Sequence, residues 1–72
     1  MSKTKLKSIR NNKGLTLLDL TLATKLRETI LAAVENRRTI AYPKQRATLA
    51  AFYGMSEADL FDETGFARLE AD

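Results

Sequence analysis

The chain is predicted to fold as an all-α, compact five-helix bundle, and three observations carry that expectation. Apolar residues recur at the three-residue spacing of one helix face, as in Leu6 with Ile9, Leu31 with Val34, and Ala50 with Tyr53. Helix start and stop signals punctuate the chain at short intervals: Gly14 then Thr16, Pro43, and Gly54 then Ser56. Finally, 72 residues with no cysteine and no histidine have neither disulfides nor a Cys/His zinc site to supplement a core. At that size helices joined by short loops are the economical solution, with dimerisation as a further source of stability.

The elements follow in order. Leu6, Ile9 and the aliphatic stem of Lys13 share one helical stripe, which predicts a first helix over about residues 4–12 with a basic outer face. Gly14 suits the left-handed position that ends it. Thr16 opens a second helix, about 16–24, with Asp19 three residues on in a capping-box arrangement. Leu17, Leu18, Leu20, Leu22 and Ala23 give this helix more apolar surface than one face needs. After a brief interruption comes a third helix, about 27–36, with Leu31 and Val34 facing inward and Leu26 plugging the turn. Residues 37–42 form a loop, and Pro43 suits the first position of a fourth helix, about 43–53, where its missing N–H is no loss. Ala47, Leu49, Ala50 and Tyr53 are its expected buried positions, and Gly54 stops it. Ser56 with Asp59 caps a short fifth helix over about 57–61. The helical domain is thus expected to span 1–61. Residues 62–72 form an acidic extension whose Phe66 and Leu69 either dock as a short helix, contact a second copy, or fray.

The formal net charge of +3 conceals a gradient. Lys3, Lys5, Lys7, Arg10 and Lys13 occupy residues 1–13 with no acid among them, whereas residues 55–72 hold six acids against Arg68 alone. A basic front and an acidic tail fit one side turned toward a polyanion and another turned away from it; the plain alternative is charge scattered for solubility. The longest apolar runs are too short to span a bilayer, and no signal-peptide stretch follows the basic start, so a cytoplasmic protein is expected. No catalytic constellation is evident: without His or Cys, a nucleophile would need a Ser, Thr or Lys activated by a neighbour. Asp59, Asp62 and Glu63 read as capping and solubility residues. The reading is therefore of a protein that is not an enzyme and uses no metal, cofactor or small-molecule ligand.

Several short motifs stand in register. Gly14-Leu15-Thr16 is followed by Leu20-Thr21, an apolar turn residue at Leu26, inward Leu31 and Val34, and Glu35-Asn36-Arg37. The segment closes with Tyr53-Gly54-Met55-Ser56-Glu57-Ala58-Asp59-Leu60-Phe61. In this order the chain resembles the phage-repressor/Cro type of helix-turn-helix domain, the XRE family, without a gap over residues 6–61, about three quarters of its length. It departs from the family pattern at four places. Leu17 stands where a phosphate-gripping Gln is usual, Thr21 where a small Ala packs between the two motif helices, and Lys25 and Arg37 where Gly is usual. Lys25 carries a cost if the turn is left-handed.

The resemblance implies a lambda-repressor-like fold and a sequence-specific transcriptional regulator whose partner is double-stranded DNA, with the third helix in the major groove. By register its base-facing residues are Arg27, Glu28, Thr29, Ala32 and Ala33. Arg27 suits a guanine edge, Glu28 a cytosine amino group, and Thr29 with the alanines a thymine methyl. This set is poor in polar readers, so recognition leans on shape and backbone contacts. Phosphate contacts fall to Thr16, Lys25, Arg37, Arg38, Lys44 and Lys13, while Lys3, Lys5 and Lys7 read either as further contacts or as a solubilising end. The alternative from another class is a helical protein-interaction module that keeps the fold but has lost DNA contact, with Ile30, Ala32 and Ala33 serving only packing. The surplus of Leu17, Leu18 and Leu22, with Phe61, Phe66 and Leu69 further on, favours a homodimer joined through the C-terminal residues, the alternative being a monomer whose C-terminal extension folds back over its own helices.

Overall fold

The computed structural model describes residues 3–70. Five helices, α1 (Lys5–Asn12), α2 (Leu17–Thr24), α3 (Glu28–Glu35), α4 (Pro43–Tyr53) and α5 (Glu57–Leu60), pack around one core. Every expected helix is present, with bounds within a residue of those read from the pattern. Each contributes to the core: Leu6 from α1, Leu20 from α2, Leu31 and Val34 from α3, Leu49, Ala50 and Tyr53 from α4, and Leu60 from α5. Burying each of the larger side chains is worth about 1.5–3 kcal/mol. Ala47, expected inside, is exposed, because it lies at the edge of the α4 face that Ala50 and Tyr53 define.

Local chemistry sets the ends of the helices. Thr16 accepts from the Asp19 N–H at 3.1 Å while the Asp19 carboxylate accepts from the Thr16 N–H at 2.8 Å, a reciprocal cap that also lowers the pKa of Asp19. Pro43 occupies the first turn of α4, and Ser56 accepts from the Asp59 N–H at the start of α5. Three helices end in the same way. The N–H groups of Leu15, Arg38 and Met55 reach back to the carbonyls of Arg10, Ala33 and Ala50, around a left-handed residue. At two of these ends that residue is Gly14 or Gly54; after α3 it is Arg37, at φ +58°. Lys25, in the turn between α2 and α3, is left-handed too, at φ +63°. Lys25 thus carries the backbone cost expected of it, and Arg37, for which none was expected, carries the same.

The C-terminal residues neither fray nor form a helix as far as Glu70. They return as an extended strip, with single antiparallel bridges pairing Phe61 with Ala67 and Thr4 with Leu69. The Lys5 N–H donates to the Arg68 carbonyl, and the Glu70 N–H to that of Lys3. Phe61 and Ala67 are core residues, so packing continues without a break past the boundary expected at residue 61. The reversal is built by Asp62, whose Oδ1 accepts from the Thr64 N–H, the Thr64 hydroxyl and the Phe66 N–H. The Thr64 hydroxyl contributes most to holding the Asp62 carboxyl below its ordinary pKa. Gly65 completes the turn at φ +97°, where a Cβ would press on the Ala41 carbonyl and the Arg46 guanidinium. The Ala41 N–H donates to the Gly65 carbonyl, which ties the α3–α4 loop to the same strip.

Beneath α1 and α3 lies an ion pair between residues far apart in sequence. Arg10 Nε donates to both carboxylate oxygens of the buried Glu35, at 3.2 and 2.9 Å, and its Nη1 donates to the Leu15 carbonyl. Arg10 is therefore turned inward and does not belong to the basic outer face expected of α1. Tyr53 lies close enough to feel this pair: burial, with a smaller push from the Glu35 carboxylate, raises its phenol to about 12. Its hydroxyl has no partner within the described residues, nor does the buried hydroxyl of Thr21. At Thr21 the missing partner gives a physical reason why a small apolar residue suits this contact between helices.

Candidate nucleic-acid interface

The α2–turn–α3 unit is held by a side chain as well as by its core. The Thr24 hydroxyl donates to the Leu20 carbonyl at 2.7 Å and accepts from the Leu26 N–H at 3.3 Å, bending the chain off the end of α2. Leu26 packs against the core from this turn, and Lys25 supplies the left-handed reversal. Arg27 then enters α3 as an extended residue with no side-chain cap bond.

The helix that follows divides cleanly into two sides. Leu31, Val34 and Glu35 are buried and Ile30 packs against the core. Helical spacing places Glu28, Thr29, Ala32, Ala33 and Asn36 on the other side. Arg27, Glu28 and Thr29 are exposed, and Ala32 and Ala33 are half-buried. Four of the five residues expected to face bases, Glu28, Thr29, Ala32 and Ala33, therefore share the outer side, while Arg27 is exposed at the extended N-cap position before the helix. The two alanines keep the centre of that side low, so a groove edge can approach the backbone closely. Asn36 was not among them, yet it is exposed at the same helix end, its amide donating to the Ala32 carbonyl.

The expected phosphate contacts are placed unequally. Lys13 and Lys25 are exposed in the turns flanking α2, Thr16 is exposed at its N-terminus, and Lys44 is exposed in the first turn of α4. Arg38 is exposed beyond α3. Arg37 is half-buried, with Nη2 3.6 Å from the Asp62 carboxylate and its guanidinium 5.6 Å from the centre of the Phe66 ring. The C-terminal strip thus holds Arg37 in place. Lys3 and Lys7 come together with Arg37 and Arg38 around a single groove, a grouping not anticipated from their separation in sequence.

The surplus apolar residues are also sorted. Leu17 packs against the core, whereas Leu18 and Leu22, one turn apart on α2, are 54% and 72% exposed. Phe61 is buried, and Phe66 and Leu69 are half-buried in the strip, so among the described residues the exposed large apolar side chains are Leu18 and Leu22 on α2 with Tyr42 and Phe52 at α4, and none lies in the tail. Among the described residues no acidic cluster could hold a metal ion, and no helix is long and apolar enough to cross a membrane. Protein-family models, curated proteins and solved structures give no match to this chain.

Proposed function

We propose that the protein is a sequence-specific DNA-binding regulator of the repressor/Cro kind, acting in the cytoplasm by occupying duplex DNA rather than by catalysis. The observation that carries this reading is the two-sided α3, which follows a tight turn and leaves Arg27, Glu28 and Thr29 outward while Leu31 and Val34 anchor it. Eight residues of helix extend about 12 Å, enough to lay a few side chains along a major groove of about the same width. Arg27 takes the role of guanine reader, and Lys25, Arg38 and Lys44 with Lys13 and Thr16 contact the backbone and set register. If these four cations neutralise about four phosphates, affinity falls by roughly 10² between 50 and 200 mM salt.

The reading is tested by fluorescence anisotropy of a labelled duplex from the gene's own upstream region, against a scrambled duplex, at those two salt concentrations. Tight, sequence-dependent and salt-sensitive binding upholds it. Equal binding to both duplexes replaces it with non-specific DNA binding, and absence of binding at low salt overturns it.

A second reading, a helical protein-interaction module, is favoured by one observation: Leu18 and Leu22 present an uncovered apolar strip on α2. Homodimerisation through this strip fits either reading, since a two-fold dimer matches a pseudo-palindromic site. Sedimentation of the wild type and of Leu22→Ser separates a dimer that depends on this face from a monomer.

A further inference from the structure

Where α1 begins and α3 ends, a groove of about 400 Å³ is lined by Lys3, Thr4, Lys7, Glu35, Arg37 and Arg38, with Asn36 and Leu69 completing it. Its charge is more one-sided than that roll suggests. The one acid, Glu35, already receives Arg10 on both carboxylate oxygens, and Arg10 does not line the groove. The Thr4 hydroxyl donates to the Glu35 carbonyl at 2.6 Å, covering one of the last carbonyls of α3. Lys3, Lys7 and Arg38 form no ion pair among the described residues, and Arg37 keeps only a long one, to Asp62 outside the groove. Four cations from two distant segments thus converge on one concavity in which, among the described residues, the only carboxylate is neutralised from behind.

We propose that this groove is a binding site for linked phosphoryl groups. Two guanidinium forks and two ammonium groups match tetrahedral oxyanions, the arginines by paired hydrogen bonds and the lysines as point charges. The groove's volume exceeds that of a single phosphate ion and suits a short run of them. The phosphates come either from a nucleic-acid backbone or from a free oligophosphate. In the first case the inference rests on the DNA-binding reading and extends the contact from α3 to the start of α1.

The test is calorimetric titration of the full chain with sodium tripolyphosphate at 50 mM salt. One saturating site is expected, weakened about tenfold or more in the Lys7→Gln, Arg38→Gln double variant. Arg38→Gln alone is measured beside it and gives a partial loss, and circular dichroism reports whether each variant folds. Lys5→Gln removes the same charge from α1 without touching the groove lining and leaves the affinity unchanged. No saturable binding, or equal weakening by Lys5→Gln, overturns the proposal. Anisotropy with a labelled duplex then identifies the source: displacement of the duplex by tripolyphosphate assigns the groove to the backbone, and simultaneous binding assigns it to a free oligophosphate. Duplex binding without tripolyphosphate binding sinks the groove and spares the regulator reading; the reverse outcome does the opposite.

Discussion

The two sides of α3 obey different rules. On the inner side every residue is fixed by packing: Leu31 and Val34 fill the core, and Glu35 is held by Arg10. On the outer side nothing in the fold dictates Arg27, Glu28 or Thr29, which touch no other element through a hydrogen bond or ion pair among the described residues. A side chain free of structural duty is available for recognition. The contrast teaches that stability and binding should be separable by mutation within one eight-residue helix.

The largest effect that would break this contrast lies inside. Glu35→Ala leaves the Arg10 guanidinium buried and unpaired and is expected to cost about 3–5 kcal/mol, read as a shift in urea midpoint. A loss below about 1 kcal/mol would show that Arg10 finds water and that the pair is peripheral. Leu31→Ala removes a fully buried side chain and is expected to cost about 2–5 kcal/mol in the same measurement. One turn away in space, Arg27→Ala should leave the midpoint within about 0.5 kcal/mol. Its effect belongs to DNA, a loss of about 1–3 kcal/mol on the preferred duplex and far less on a scrambled one, read by anisotropy. The smallest effect sharpens the comparison at the turn between α2 and α3. Lys25→Gly relieves a left-handed lysine and should raise stability by about 1 kcal/mol while weakening binding to all duplexes alike. Unchanged binding would remove Lys25 from the backbone contacts.

What was legible in the sequence was what is local. Gly14, Thr16 with Asp19, Pro43, Gly54 and Ser56 each act within a few residues and mark an end of every helix but α3, which was read from the spacing of Leu31 and Val34. The inward Leu31 and Val34 and the outward Glu28 and Thr29 follow from helical period alone, whereas the exposure of Arg27 comes from its extended position before the helix. The Arg10–Glu35 pair joins residues 25 positions apart, and no spacing rule marks a charged residue as buried. The C-terminal strip escaped for a related reason: its order comes from backbone bonds to Lys3, Lys5 and Leu60, which leave no periodic trace in side chains. The groove is a consequence of that strip and of α1 meeting α3, so Lys3 and Lys7 read as a basic end until the fold places them beside Arg37 and Arg38.

The most direct test of the central claim, that the outer side of α3 reads DNA while its inner side only holds the fold, is selection from a random duplex library. Wild type and an Arg27→Ala, Thr29→Ala variant with unchanged circular dichroism are compared. The account predicts that the wild type enriches a defined motif and that the variant loses preference at particular base positions within it. Enrichment of no motif by the wild type, or of the same motif by both, would contradict it.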